Sequence, residues 1–259
     1  MNDQVNSLID KAWDKFQQTP EDRRFMIAIG GIPGSGSSPS SPLSHAPPVA
    51  ITYLHHAGKT TLSQIVTQAL NARHTTLRPG APPIAAFVPM DGYHLTRAQL
   101  SALPDPTTAH ARRGAEFTFD GAAFLSLVQA LRAPLSASTA PIFAPSFDHA
   151  RKDPKENDIA IQPAHRIVVF EGNYVVLDKE PWRAAAGLMD ERWFVDVGVE
   201  TARRRLVARH VRAGIAGDEE EAGRRADEND LVNGRQIVEN RTHVHEVVVS
   251  RDDESWKHE

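Results

Sequence analysis

The feature that most constrains this chain is a motif carried in two pieces. Gly31-Ile32-Pro33-Gly34-Ser35-Gly36 opens a glycine-rich loop, and Gly58-Lys59-Thr60-Thr61 closes one. Joined with a single glycine at the seam, the halves read Gly-Ile-Pro-Gly-Ser-Gly-Lys-Thr-Thr. That string satisfies G-x-x-x-x-G-K-[ST], the pattern of a loop whose backbone amides cradle phosphates. The second half cannot complete the pattern alone, because the first glycine would fall on Tyr53.

The flanks fit the same reading. The apolar run 25–29 predicts a short buried strand entering the glycines. Leu62, Ile65, Val66 and Leu70 lie at helical spacing and predict a helix over 59–72. A glycine-rich turn by itself is an ordinary strand–helix connection. With Gly-Lys-Thr-Thr added, backbone amides and a helix N-terminus converge where a nucleotide's phosphates sit. Lys59 would reach the terminal phosphate oxygens, and the Thr60 hydroxyl would help hold Mg²⁺. The expected nucleotide-binding set is Gly31, Gly34, Ser35, Gly36, Gly58, Lys59, Thr60 and Thr61.

Residues 37–58 interrupt this loop with a Ser- and Pro-rich stretch unlike the rest of the chain. Such an insert is expected to pull the lysine away from the glycines and to weaken ATP binding, because unstructured loops beyond about 12–15 residues are uncommon within a domain. The physical escape is an insert that loops out with its ends together, since closure entropy grows slowly with length. A second account is a retained short intron. Removal of residues 37–58 keeps the reading frame and restores the motif, and the codons of Gly36 and Ala57 would have to supply the GT and AG borders.

Composition bounds the alternatives. The 259 residues are 41% hydrophobic, enough for one substantial core with a lid. A net charge of −4 argues against a nucleic-acid partner. No apolar run approaches the roughly 18 residues that span a bilayer, so no membrane partner is expected. There are no cysteines, and the polar, acidic start is not a targeting peptide. A cytoplasmic protein is expected, with a homodimer left open.

Along the chain, helical spacing predicts an N-terminal helix over 5–16. A strand over 84–90 ends on Asp91-Gly92-Tyr93-His94, where open α/β sheets place ligands. Asp91 there would accept the proton of an attacking hydroxyl, or simply cap the next helix, which spacing alone favours. Arg112-Arg113 would face an acidic substrate or form a solvated loop pair. Asp120 heads a helix as its N-cap. Residues 142–147 form a short strand, followed by a polar run over 151–158. The continuous apolar run 166–170 predicts a strand covered on both faces, ending on Glu171. A short helix covers 182–189 and a strand 193–197. A basic helix over 200–212 sets Arg205, Arg209 and Arg212 on one face. Asn229-Asp230-Leu231-Val232-Asn233-Gly234 reads as a turn, and 244–249 as the last strand.

Taken together, 27–36 with 59–63, Pro89-Met90-Asp91-Gly92-Tyr93-His94, 112–120, Pro145-Ser146-Phe147-Asp148-His149 and Phe170-Glu171-Gly172-Asn173-Tyr174 resemble, in order, the phosphoribulokinase/uridine kinase family of P-loop kinases. The pantothenate-kinase-like and sugar- or nucleoside-kinase-like branch is nearest, and the likeness spans about 25–240. It implies a doubly wound, mostly parallel α/β fold in a single domain, with a helical lid over about 203–235. It also implies transfer of the ATP γ-phosphoryl group to a small-molecule hydroxyl with Mg²⁺. By the same resemblance Asp91, Lys59 and Arg209 are catalytic, and Arg209 and Arg212 clamp phosphates. Asp91, Tyr93, His94, Arg112, Arg113, Asp148, His149 and Glu171 contact the acceptor, and Thr60 and Glu171 serve the metal. The rival readings are a catalytically inactive nucleotide-binding scaffold and a P-loop ATPase or GTPase, the latter lacking an Asn-Lys-x-Asp signature.

Overall fold

The structure is a computed structural model and describes residues 2–35 and 58–250. The elements follow in chain order as α1 (Asn2–Gln17), β1 (Phe25–Gly31), α2 (Lys59–Leu77), β2 (Ala85–Pro89), α3 (Arg97–Ser101), α4 (Pro106–Ala111), α5 (Gly121–Arg132), β3 (Ile142–Asp148) and β4 (Asp153–Ile161). Then come β5 (Ile167–Gly172), α6 (Trp182–Gly187), β6 (Glu191–Asp196), α7 (Val199–Arg212), α8 (Glu219–Arg225), α9 (Leu231–Glu239) and β7 (Glu246–Val249). A 3₁₀ turn, Met90–Tyr93, follows β2, and a π-helical turn, Ala226–Asp230, joins α8 to α9.

The main sheet has the order β2-β5-β1-β6-β7, and every pairing in it is parallel. Strand alternation divides the core in two. Ile27 and Ile29 of β1 and Val169 of β5 face α1 and α2, packing with Leu8, Trp13, Val66 and Leu70. Met26, Ala28, Val168 and Phe170 face the other way, against Phe124, Leu131 and Trp182. With both faces covered, β1 and β5 are buried at every position, which is why they read as unbroken apolar runs. This is the doubly wound, parallel α/β architecture expected. From β1 the chain crosses to β2 on one side of it, and from β5 it crosses to β6 on the other, so the carboxyl end of β1 lies at a crevice where such folds bind ligands.

The polar run 151–158, given no element from the sequence, lies largely in β4, which pairs antiparallel with β3 as a separate two-stranded sheet. Its middle residues are exposed, so no buried face imposes the alternation that marks a strand. One expectation needs correction: the Asn-Asp and Asn-Gly pairs at 229–234 are not a turn. They belong to the π-helical turn and α9, and Asn229 and Asn233 are buried. Among the described residues no helix is long and apolar enough to cross a membrane.

Candidate active site

The first half of the glycine loop turns sharply after β1, with Ser35 N–H donating to Ile32 O at 3.2 Å. Gly34 has φ +78°, and a Cβ there would meet Ala202 O of α7 at 2.6 Å. Both conformation and contact demand glycine. Arg205 of α7 donates to Ser35 O at 2.9 Å and to the Ser250 hydroxyl at 3.0 Å, fixing the loop's far side. Ser35 is fully buried. Gly36 and residues 37–57 of the insert lie outside the described residues.

The second half returns to the same place. Gly58 precedes α2 in an extended conformation, and Lys59 is the first helical residue. Its Nζ lies 3.5 Å from Ile32 O and 3.9 Å from Glu171 Oε1. The expected separation of the lysine from the glycines is therefore not found. The described ends on the two sides of the interruption converge, as the slow growth of closure entropy with loop length permits.

Glu171 ends β5 and is 5% exposed. Burial pushes its pKa up to about 7, against the lowering effect of Lys59 and of a hydrogen bond with Thr60. Burial likewise pushes Lys59 down, with Glu171 opposing. Desolvation disfavours both charged forms, and each ion supports the other. Arg209 acts electrostatically on both Lys59 and Glu171. Arg212 is exposed at the end of α7, and no described contact ties it to the site. The basic face of this helix thus divides: Arg205 holds the loop, Arg209 overlooks it, and Arg212 points outward from both tasks.

Asp91 sits in the 3₁₀ turn after β2, exposed, and its charge acts on Lys59, on Glu171 and on His94. Gly92 lets this turn press against the β3–β4 hairpin, since a Cβ would lie 2.1 Å from Pro145 O. The His94 ring packs on Phe119 at 4.0 Å and Phe147 at 4.9 Å, and its Nδ1 is 2.8 Å from Asp91 O. Burial pushes the His94 pKa down and the Tyr93 phenol up. Between the 3₁₀ turn, α5 and the hairpin opens a cavity of about 340 Å³, lined among others by Tyr93, His94, Asp120 and Glu156. Asp120 is also the N-cap expected for α5, accepting from Ala123 N–H at 2.8 Å.

The remaining acceptor candidates are engaged within the chain. Arg112 donates to Asn229 Oδ1 at 2.9 Å and Asn233 Oδ1 at 2.8 Å, joining the segment after α4 to the π-helical turn and α9. Arg113 donates to Leu95 O and Asp153 Oδ1 and stacks over Phe147. Asp148 accepts from Ala150 and Arg151 N–H at the hairpin tip, with His149 exposed beside Phe147. The sequence reading missed Asn229, Asn233, Asp230 and Glu156. The i, i+4 spacing of Asn229 and Asn233 was a usable signal. Asp230 acts on Lys59 and lies 3.4 Å from His210 Nε2.

No protein-family model matches the chain. It is 57% identical over 159 residues to the ATP-dependent kinase-like protein notR' of Aspergillus versicolor, covering 61% of this chain and 92% of that one. It is 40% identical over 211 residues to a uridine kinase-like protein of Schizosaccharomyces pombe, covering 82% and 77%. Among solved structures, YFH7 of Saccharomyces cerevisiae, described as a circularly permuted P-loop kinase, aligns with a TM-score of 0.78 at 24% identity. That alignment covers 96% of this chain and 99% of that one, and it bears on the fold.

Proposed function

Given that this chain belongs to the uridine kinase/phosphoribulokinase family of P-loop kinases, we propose that it transfers the γ-phosphoryl group of ATP to a hydroxyl of a small metabolite held in the 340 Å³ cavity. The observation that carries this reading is the position of Asp91, which follows β2 in the 3₁₀ turn whose Gly92 and Tyr93 line the cavity. Its charge is felt by Lys59 and Glu171 on the phosphate side and by His94 on the cavity side. A carboxylate between the two sites orients the acceptor hydroxyl and takes its proton as the oxygen attacks the phosphorus. Lys59 and the loop amides hold the phosphates, and Arg209 neutralises charge on the transferring group. Catalysis here is mostly positioning and electrostatics.

Mg²⁺ suits the pair Thr60 and Glu171, because it is bound through one or two carboxylates together with phosphate oxygens and water. Thr60 follows Lys59 at the start of α2, and its hydroxyl acts on the Glu171 carboxyl, lowering its pKa. The ion would neutralise phosphate charge when bound, and Glu171 would ionise to receive it. The insert argues for a chain that binds nucleotide more weakly than an uninterrupted loop would. For the same reason an inactive nucleotide-binding scaffold is the second reading.

Asp91→Asn tests the assignment. The substitution is expected to lower acceptor-dependent ADP formation by about 10²–10⁴-fold while Mg·ATP binding is kept. Unchanged turnover would remove Asp91 from the chemistry, and loss of ATP binding would assign it to the nucleotide instead.

A further inference from the structure

The charge around the cavity sorts acceptors, an inference that rests on the kinase reading above and narrows it. Two carboxylates line the cavity, Asp120 from the head of α5 and Glu156 from β4, together with the uncharged polar groups of Thr96 and Gln99. Both carboxylates push the Tyr93 phenol up, after burial, so their charges reach the cavity wall. Among the described residues no lysine or arginine lines it.

The nearby cations are committed elsewhere among the described residues. Arg97 and Arg113 both pair with Asp153, Lys155 pairs with Asp158, and Arg151 pairs with Asp148. Recognition of a carboxylate or phosphate calls for arginine or lysine donors, and this cavity offers the opposite charge. Carboxylates and amide oxygens instead accept hydrogen bonds from hydroxyls. Phe143, 50% exposed, also lines the cavity and offers a flat apolar face.

We infer that the acceptor is an uncharged, hydroxyl-rich molecule with a flat apolar side, and that Glu156 with Asp120 excludes acceptors bearing a carboxylate or phosphate. Glu156 is the specificity-determining residue to alter, because it is exposed and on a strand edge where substitution leaves the core intact. Like charges held close repel, and an anionic group facing two carboxylates adds a repulsive term against that ligand.

The test uses matched pairs, uridine against uridine 5′-monophosphate and ribose against ribose 5-phosphate. Binding is measured by calorimetry on the full chain carrying Lys59→Ala, so that anions do not report the phosphate loop. The uncharged member of at least one pair is expected to bind at least tenfold tighter than its phosphorylated partner. Glu156→Lys should shrink that ratio at least tenfold, and Glu156→Gln by less. Equal or tighter binding of the phosphorylated members, binding by none of the four, or a ratio indifferent to Glu156→Lys would overturn the inference. ADP formation by the unaltered chain is read separately. Phosphorylation of a phosphorylated member sinks the charge inference and keeps the kinase, whereas discrimination without any ADP contradicts the kinase reading alone.

Discussion

At the scale of single residues, the site is a balance between burial and paired charge. Lys59 and Glu171 are both withdrawn from water, and neither is stable there as a lone ion. Glu171 has its pKa raised from 4.5 to about 7, so the folded protein holds this proton more tightly than the unfolded chain. Its contribution to stability is fully present below pH 4.5 and is lost as the pH rises through about 7. Melting temperatures of the ligand-free protein and of Glu171→Gln, measured from pH 5 to pH 8, check this. The variant is expected to gain on the parent from pH 5 to about pH 7 and to level off above it, whereas a difference constant from pH 5 upward would contradict the raised pKa. Lys59, Asp91 and Glu171 were legible in the sequence because each stands at a strand end or loop whose pattern is local. Glu156 was not, because its place on the cavity depends on a hairpin folding back over the turn that follows β2.

At the scale of elements, the helices after β6 form a frame around the loop. The α7 backbone fills the space beside Gly34, and Gly234 of α9 stands over Ile32, where a Cβ would lie 3.3 Å away. Arg112 ties this frame to the acceptor side through Asn229 and Asn233. Arg112→Ala is expected to cost about 1.5–3 kcal/mol, the range for hydrogen bonds to a charged group, and to raise the KM for ATP. Urea unfolding and steady-state kinetics measure the two effects, and a stability change below about 0.5 kcal/mol, the range of surface substitutions, would show that the link carries no weight. The sequence suggested a turn at 229–234 because Asn, Asp and Gly are turn formers. Long-range pairing with Arg112 overrides that preference, and no local pattern reports it. The strands β1 and β5 were readable because burial on both faces leaves an unmistakable apolar run, and β4 was missed for want of one.

At the scale of the whole molecule, the parallel sheet brings Lys59, Glu171 and Asp91 to one end, with the cavity beside them. The family and fold were legible because five short motifs keep their order along the chain. At the interruption the outcome is the second of the two geometries the sequence allowed: the flanking ends lie together, with Lys59 Nζ 3.5 Å from Ile32 O, and the effect on ATP binding is the quantity to measure. The central claim is that Mg·ATP binds at this assembled but interrupted loop through Lys59. Calorimetry of Mg·ATP on three proteins tests it most directly: the full chain, the chain lacking residues 37–58, and the full chain with Lys59→Ala. The account predicts measurable binding to the full chain, at least tenfold tighter binding when the loop is made continuous, and loss of binding with Lys59→Ala. Binding that ignores Lys59→Ala, or no binding by either the full or the shortened chain, would contradict it.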